Sequence, residues 1–267
     1  MTEDTHDGGR NRAERLSAML DRLATSGRLG VTEAAGLLAV SEATIRRDFA
    51  ELARRQLVTR HHGGIVATSV AYELPYRYRS SQADAGRRRI AAAAAALIRP
   101  GQVVGLNGGT TTTATARAIT AREDLAAGGA VTIVTNALNI AAEAVLRPHV
   151  QCVSLGGVAR PESYELTGPL AQLVLEQLWL DTAIVGTNGL TAAEGATCRL
   201  EDEAAIIRLM IARSRTVICV ATGDKLGQRT FASICPADRI DHLVTTSDAP
   251  AEELAALRKA GVTIHAV

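Results

Sequence analysis

Val40-Ser41-Glu42-Ala43-Thr44-Ile45-Arg46-Arg47-Asp48-Phe49-Ala50-Glu51-Leu52 is the stretch whose reading decides the N-terminal fold. It reads as a capped helix with two different faces. Ser41 suits the N-cap, because its hydroxyl can accept a hydrogen bond from an otherwise unpaired N–H of the first turn. At the helical period, Ile45, Phe49 and Leu52 form one apolar stripe that must be buried. Ala43, Arg47 and Arg54 fall opposite, flanked by Thr44 and Arg46. Small residues and arginines near a helix start can enter the DNA major groove, where arginine pairs with guanine O6 and N7 or with phosphate. Taken alone, the segment equally fits a solvated amphipathic helix.

The neighbours favour the first reading. Val31 to Leu38 forms a short helix for which Thr32 is the expected cap, and only Ala39 and Val40 separate it from Ser41. Two short helices joined by a tight turn, the second bearing arginines, make a helix-turn-helix over Val31 to Ala50. Downstream, Leu57 to Arg60 and Ile65 to Ala67 flank His61-His62-Gly63-Gly64, an apolar hairpin that reads as a wing. Arg60, His61 and His62 near its tip can touch phosphate. Upstream, Leu16, Leu20 and Leu23 give a first helix over Arg12 to Leu23, expected to pack on Ile45 and Phe49, with Gly27 and Gly30 bracketing the turn into Thr32.

The run Val40-Ser41, Thr44-Ile45-Arg46-Arg47-Asp48, Leu52, Leu57-Val58, Arg60 and His62-Gly63-Gly64 strongly resembles the N-terminal domain of DeoR-type transcriptional repressors. The usual Asp-Leu after the arginines is Asp48-Phe49 here. The resemblance implies double-stranded operator DNA as partner. It implies contacts from Thr32, Ser41, Glu42, Ala43, Thr44, Arg46, Arg47, Arg60, His61 and His62.

The overall charge of +1 hides an asymmetry. From Arg10 to Ala67 there are ten arginines against six acids, the sign that phosphate requires. Cys152, Cys198, Cys219 and Cys235 are widely spaced with no CxxC, as expected for reduced, mostly buried thiols in a cytosolic protein. Histidines and cysteines show no metal-ligand spacing. No signal peptide opens the chain, and the longest apolar run, Ile90 to Ile98, is too short to span a bilayer. The expected organisation is a disordered tail over 1–10, a winged helix-turn-helix over 11–68, a linker over 69–85 and an α/β effector-sensing domain over 86–267. The linker holds Tyr72, Tyr76 and Tyr78, which suit packing between domains or across a dimer better than base stacking.

From Gly86 short Val/Ile runs alternate with helical stretches. Strands are expected at 103–106, 131–135, 151–155, 182–185, 216–220, 242–245 and 262–266. Helices are expected at 87–98, 114–119, 137–146, 170–178, 201–214 and 250–260. Strands apolar on both faces belong to a mostly parallel sheet covered by helices. In such sheets ligands bind beyond the carboxyl ends of the strands. Asn107-Gly108-Gly109-Thr110-Thr111-Thr112-Thr113 follows the first strand and opens a helix. Its glycines, N–H groups and hydroxyls suit phosphate or carboxylate, although a plain threonine-capped turn has the same pattern. It is neither a P-loop nor GxGxxG, so no nucleotide cofactor is implied. Asn136, Gly156-Gly157, Gly186-Thr187-Asn188 and Gly223-Asp224-Lys225 follow other strands. Lys225 is one of two lysines, Lys259 being the other, among 29 Lys and Arg. A lysine kept at a strand end suggests a compact point charge, though a surface lysine looks the same.

This half also resembles the DeoR family, through Gly109-Thr110-Thr111, Val134-Thr135-Asn136, Leu155-Gly156-Gly157, Gly168-Pro169, Glu203 and Asp224-Lys225-Leu226-Gly227. The resemblance implies a sensor domain with a fold like ribose-5-phosphate isomerase and glucosamine-6-phosphate deaminase. It implies a phosphorylated sugar or related metabolite held by the Gly109 to Thr112 loop, near Asn136 and Lys225. Four departures stand out. The family usually has an acid at Asn107, Asp-Ser-Ser where Thr222-Gly223-Asp224 stands, Thr-Asp where Thr245-Thr246 stands, and in many members a lysine at Arg87. Three absent acids imply an altered effector or a lost one. The reading is thus a homo-oligomeric repressor, with an activator as a further reading, and no membrane association. The alternative is a sugar-phosphate isomerase or deaminase with an appended DNA-binding domain, Lys225 and Glu203 being its acid–base candidates.

Overall fold

The computed structural model describes residues 12–26, 28–54, 58–61, 63–66 and 84–267, in two compact units divided between Gln82 and Ala83. The tail, the linker tyrosines and His62 lie outside the described residues.

The first unit contains α1 (Arg12–Ser26), β1 (Arg28–Gly30), α2 (Val31–Leu38), α3 (Glu42–Arg54), β2 (Thr59–His61) and β3 (Gly64–Val66). Its core joins Leu16, Met19, Leu20 and Leu23 of α1 to Ile45, Phe49 and Leu52 of α3 and to Ile65 of the wing. The expected helical stripes are therefore the buried ones. Ser41 caps α3, its Oγ accepting from the Thr44 N–H at 3.2 Å. Two expectations fail. The wing is three-stranded, in the order β1-β3-β2, because Arg28–Gly30 pairs antiparallel with Gly64–Val66 rather than forming a turn. Gly64 permits this approach, since a Cβ there would lie 2.4 Å from the Leu29 carbonyl oxygen. The cap of α2 is Gly30, not Thr32, whose hydroxyl instead donates to Glu42 Oε1 at 2.8 Å and ties α2 to α3. The turn between these helices places Ala39 at φ 53°.

The second unit runs α4 (Asp84–Ala96), β4 (Val103–Leu106), α5 (Thr110–Thr120), α6 (Glu123–Gly128), β5 (Val131–Thr135), α7 (Leu138–Ala144) and β6 (Val150–Ser154). A two-stranded ribbon follows, β7 (Val158–Ala159) and β8 (Leu166–Thr167), then α8 (Pro169–Leu175) and β9 (Leu180–Gly186). The chain continues with β10 (Gly189–Thr191), β11 (Gly195–Cys198), α9 (Glu201–Ala212), β12 (Ser214–Ala221), β13 (Ala232–Cys235), β14 (His242–Thr245), α10 (Ala251–Lys259) and β15 (Thr263–Ala266). Seven strands form a parallel sheet in the order β15-β14-β12-β9-β4-β5-β6. Alternation along β12 shows why both faces are apolar. Val217, Cys219 and Ala221 enter the core with Leu175, Ile207 and Leu257 of α8, α9 and α10. Ile218 and Val220 enter the opposite core with Ile90, Ile119 and Ile140 of α4, α5 and α7. Helix α6, the ribbon and a small antiparallel sheet, β10-β11-β13, were not expected from the sequence.

From β4 the chain moves outward through β5 and β6, then returns to β9 on the other side of β4. The strand order therefore reverses between β4 and β9, and the crevice beyond their carboxyl ends is where such sheets bind ligands.

Candidate DNA-binding helix and effector pocket

On α3, Ala43, Arg46 and Arg47 are exposed and Thr44 is half-buried. Glu42 organises the helix start, accepting from Thr32 through one oxygen and from Arg46 at 2.9 Å through the other. Arg46 is thus held along the helix by an i,i+4 pair, whereas Arg47 makes no ion pair among the described residues. Thr44 Oγ1 is engaged with Ser41 Oγ at 2.9 Å. The helix is set by a contact the sequence reading passed over: Asp48 is 2% exposed and accepts from Arg15 Nε at 2.8 Å, with Arg12 Nε at 3.4 Å. Placed one residue after two arginines on an otherwise apolar side, Asp48 was the available signal. At the wing, Arg60 and His61 are exposed, and the Gly63 carbonyl accepts from the Val31 N–H at 2.9 Å, fixing the tip to the start of α2.

In the second unit, Asn107 closes the crevice. Its Oδ1 accepts from the Gly186 N–H at 2.8 Å and its Nδ2 faces the Gly186 carbonyl at 3.3 Å, stapling β4 to β9. A carboxylate could only accept, so the departure from the usual acid has a structural reason. Gly109, at φ 129°, caps α5 without a side-chain hydrogen bond. The N–H groups of the first helical turn therefore lack an internal partner and carry the positive end of the helix dipole. Thr112 and Thr113 turn inward, their hydroxyls donating to the Gly109 carbonyl at 3.1 and 2.7 Å. Of the expected threonines, Thr110 and Thr111 are half-buried and Thr112 is fully buried.

Gly108 meets a group the sequence reading did not select. Its N–H donates to Glu165 Oε1, and a Cβ at Gly108 would lie 2.4 Å from the Glu165 side chain. Glu165 is 3% exposed. Burial, then the adjacent Glu203 carboxyl, push its pKa well above the ordinary carboxylate range. Asn136 is wholly buried, with Nδ2 donating to the Leu166 carbonyl at 3.2 Å and Oδ1 without a partner among the described residues. Glu203, in the first turn of α9, has Oε1 3.7 Å from Arg160 Nε. The only charge between Ser163 and Leu175 is Glu165, which was the legible signal.

The remaining expected residues have local explanations. Gly157, at φ 134°, lies where a Cβ would be 2.5 Å from the Thr167 carbonyl, so ribbon pairing requires it. Gly156 is exposed above Leu170. Lys225 sits in a short 3₁₀ turn, its Nζ 2.6 Å from Asp224, and β9 stands between its strand and β4. Although burial pushes the Asp224 carboxyl up, hydrogen bonds from Lys225 and Thr222 outweigh this and hold it below its ordinary value. That turn is anchored by the Gly223 N–H donating to Thr246 Oγ1 at 2.8 Å. All four cysteines are free. Burial pushes Cys198 up to about 12 and Cys235 to about 11. No cluster of three or more His, Cys, Asp or Glu able to hold a metal occurs among the described residues. Nor is any described helix long and apolar enough to cross a membrane.

Residues 15–70 match the DeoR-like helix-turn-helix domain and residues 82–247 match the DeoR C terminal sensor domain. The chain belongs to the DeoR family. It is a DNA-binding transcriptional regulator. It is 35% identical over 254 residues to the HTH-type transcriptional regulator GlpR of Haloferax volcanii, across 94% of this chain and 96% of that one. It is 27% identical to the glycerol-3-phosphate regulon repressor of Escherichia coli, across 89% and 92% of the two chains. Among solved structures, ribose 5-phosphate isomerase from Methanocaldococcus jannaschii overlaps 54% of this chain and 55% of its own, at a TM-score of 0.40 and 13% identity.

Proposed function

We propose that this DeoR-family regulator is a repressor whose operator affinity is set by a phosphorylated sugar or related metabolite, bound and not turned over. The observation that carries the reading is the uncapped N-terminus of α5 at the point where the strand order reverses. An anion there gains free N–H donors and the helix dipole. Thr110 and Thr111 would add hydroxyls, and Lys225 a positive charge from the turn beyond β12. Gly108, Gly109, Thr112 and Asn107 would act by shaping the loop, with Asn136 and Gly156-Gly157 bounding the site. The relative named as a glycerol-3-phosphate regulon repressor supports phosphate as the anion.

On the DNA side, residues 11–68 would form the operator-binding domain. Ala43, Thr44, Arg46 and Arg47 would face the major groove. Arg60, His61 and His62 would lie on phosphate, and Thr32, Ser41 and Glu42 would order the helix start. Residues 69–85 would relay effector occupancy, in a cytoplasmic homo-oligomer that matches repeated half-sites. Calorimetry of the full chain against paired sugars, each with and without phosphate, tests the effector. A phosphorylated member binding at least tenfold more tightly is expected, since charge-assisted bonds exceed neutral ones about twofold in strength. Equal affinity within every pair would refute the phosphate site.

A further inference from the structure

The two edges of the parallel sheet are finished differently. At the β15 edge the outer helix is α10, whose exposed positions include Glu252, Arg258 and Lys259. Charge beside an open edge keeps it solvated. At the β6 edge the outer helix is α8, which packs through Ala171 and Leu175 in one core with Val134, Val153 and Leu155 of β5, β6 and the turn after it. Helix α8, Pro169–Leu175, carries no charge. Its outward stripe is Leu170, Leu173 and Val174, at the i, i+3, i+4 spacing of one helical face. The ribbon extends this stripe: a Cβ at Gly156 would lie 3.9 Å from Leu170 Cβ, and Val158 follows two residues on. These four apolar side chains are 39–72% exposed. Strand β6 pairs only with β5 among the described strands, and Val150–Ser154 holds neither a charge nor a proline. Proteins ordinarily protect such an edge with charge, proline or a covering element.

We infer that two copies of the chain meet on this face: α8 of one copy lies against α8 of the other, with Val158 and the β6 edge alongside. The inference rests on the homo-oligomer reading above and supplies its face. Area favours a second copy. The four side chains expose roughly 400 Å² of apolar surface, a patch larger than scattered surface residues make and about half of what each partner gives a standard interface. That is the share an interface core takes inside its polar rim. Gln172, Glu176 and Gln177 stand beside the stripe and suit that rim. Charge favours a second copy as well. A two-fold contact lays a patch on its own counterpart, so any charge near the axis meets itself. A neutral stripe escapes that repulsion, and it offers no cation to a nucleic acid. The same contact covers the open β6 edge, which the β15 edge, with its charged helix, does not require.

The test is sedimentation of the full-length protein at micromolar concentration. Leu173→Glu sets two carboxylates near the axis. It should raise the dissociation constant of the contact at least about a hundredfold and halve the mass of the assembly. Ala255→Glu adds the same charge to an exposed position of α10 and should leave the mass unaltered. Circular dichroism should show Leu173→Glu folded, because position 173 faces outward. Leu173→Cys probes the contact without a charge. Packed helices lie about 8–10 Å apart, so a bismaleimide of that span should join two copies. The wild-type thiols, buried or half-buried, should give little of that product. An unchanged mass in folded Leu173→Glu, an equal loss of mass in Ala255→Glu, or cross-linking of Leu173→Cys no greater than wild type would overturn the face and leave the homo-oligomer reading standing. A wild-type chain that sediments as a monomer would overturn both.

Discussion

Asp48 offers the sharpest test of how the DNA-binding unit is held together. It is the acid of the Arg-Arg-Asp run, yet it faces inward and clamps α3 to α1 through Arg15, the two side chains being 3% and 11% exposed. Removing one partner of a buried pair costs about 3–5 kcal/mol, because the survivor is left uncompensated. Arg15 retains a narrow path to solvent, which places Asp48→Ala near about 3 kcal/mol. The contact from Arg12 adds little, since that side chain is 57% exposed and such pairs are worth about 0–1 kcal/mol. A unit of ~55 residues has a total stability of about 3–8 kcal/mol, so the loss removes much of it. Hydrogen exchange on the full-length protein measures this unit in place. Amides of α1 and α3 should exchange roughly a hundredfold faster in Asp48→Ala. The single tryptophan, Trp179, lies in the second unit, and its fluorescence should report an unchanged sensor domain. Replacing both partners, Arg15→Met with Asp48→Leu, should restore most of the protection. An exchange increase below about fivefold in Asp48→Ala would refute the reasoning.

Other consequences follow for DNA, effector and pH. Arg47→Ala should weaken operator binding by about 1–3 kcal/mol at fixed salt without altering thermal stability, measured by anisotropy. Arg60→Ala should instead lower the salt dependence of binding by roughly one phosphate contact across all sequences. Thr111→Ala should weaken effector binding modestly and Lys225→Ala more strongly, both retaining operator binding, by calorimetry and gel shift. Glu165 makes the sensor unit pH-sensitive. Its pKa is raised in the folded state, so its contribution is fully present below the ordinary value of 4.5 and is lost as pH rises toward the folded value. Urea unfolding followed by Trp179 fluorescence should therefore show stability falling as pH rises above 4.5, and Glu165→Gln should flatten that slope.

The helix-turn-helix was legible because its determinants are local: the Ser41 cap and the Ile45, Phe49, Leu52 stripe lie within one helix. The parallel sheet was legible for a similar reason, since strands buried on both faces must be Val/Ile runs, and Val103–Leu106, Val131–Thr135 and His242–Thr245 fall where expected. Pairings that close across sequence were not. Arg28–Gly30 lies between Gly27 and the start of α2 and looks like a turn until β3 comes beside it. Thr32 looks like a cap, but Gly30 holds that place and a glutamate ten residues on takes the hydroxyl. Glu165 is 57 residues from Gly108. Only the fold brings it, Asn136 and Glu203 to the edge where β4 ends. The absent acid at Asn107 pointed to an altered pocket. Its reason, a staple needing both a donor and an acceptor, became visible only once β9 stood alongside β4.

The central claim is that one chain couples an operator-reading helix to a phosphate-reading pocket. The direct measurement is anisotropy of the full-length protein on DNA from the region flanking its own gene, titrated with phosphorylated sugars and with the same sugars lacking phosphate. At least one phosphorylated sugar should shift DNA affinity by about fivefold or more, its unphosphorylated form should not, and Lys225→Ala should bind the DNA but lose most of the shift. A shift of equal size with the unphosphorylated sugar, or an undiminished shift in Lys225→Ala, would contradict it.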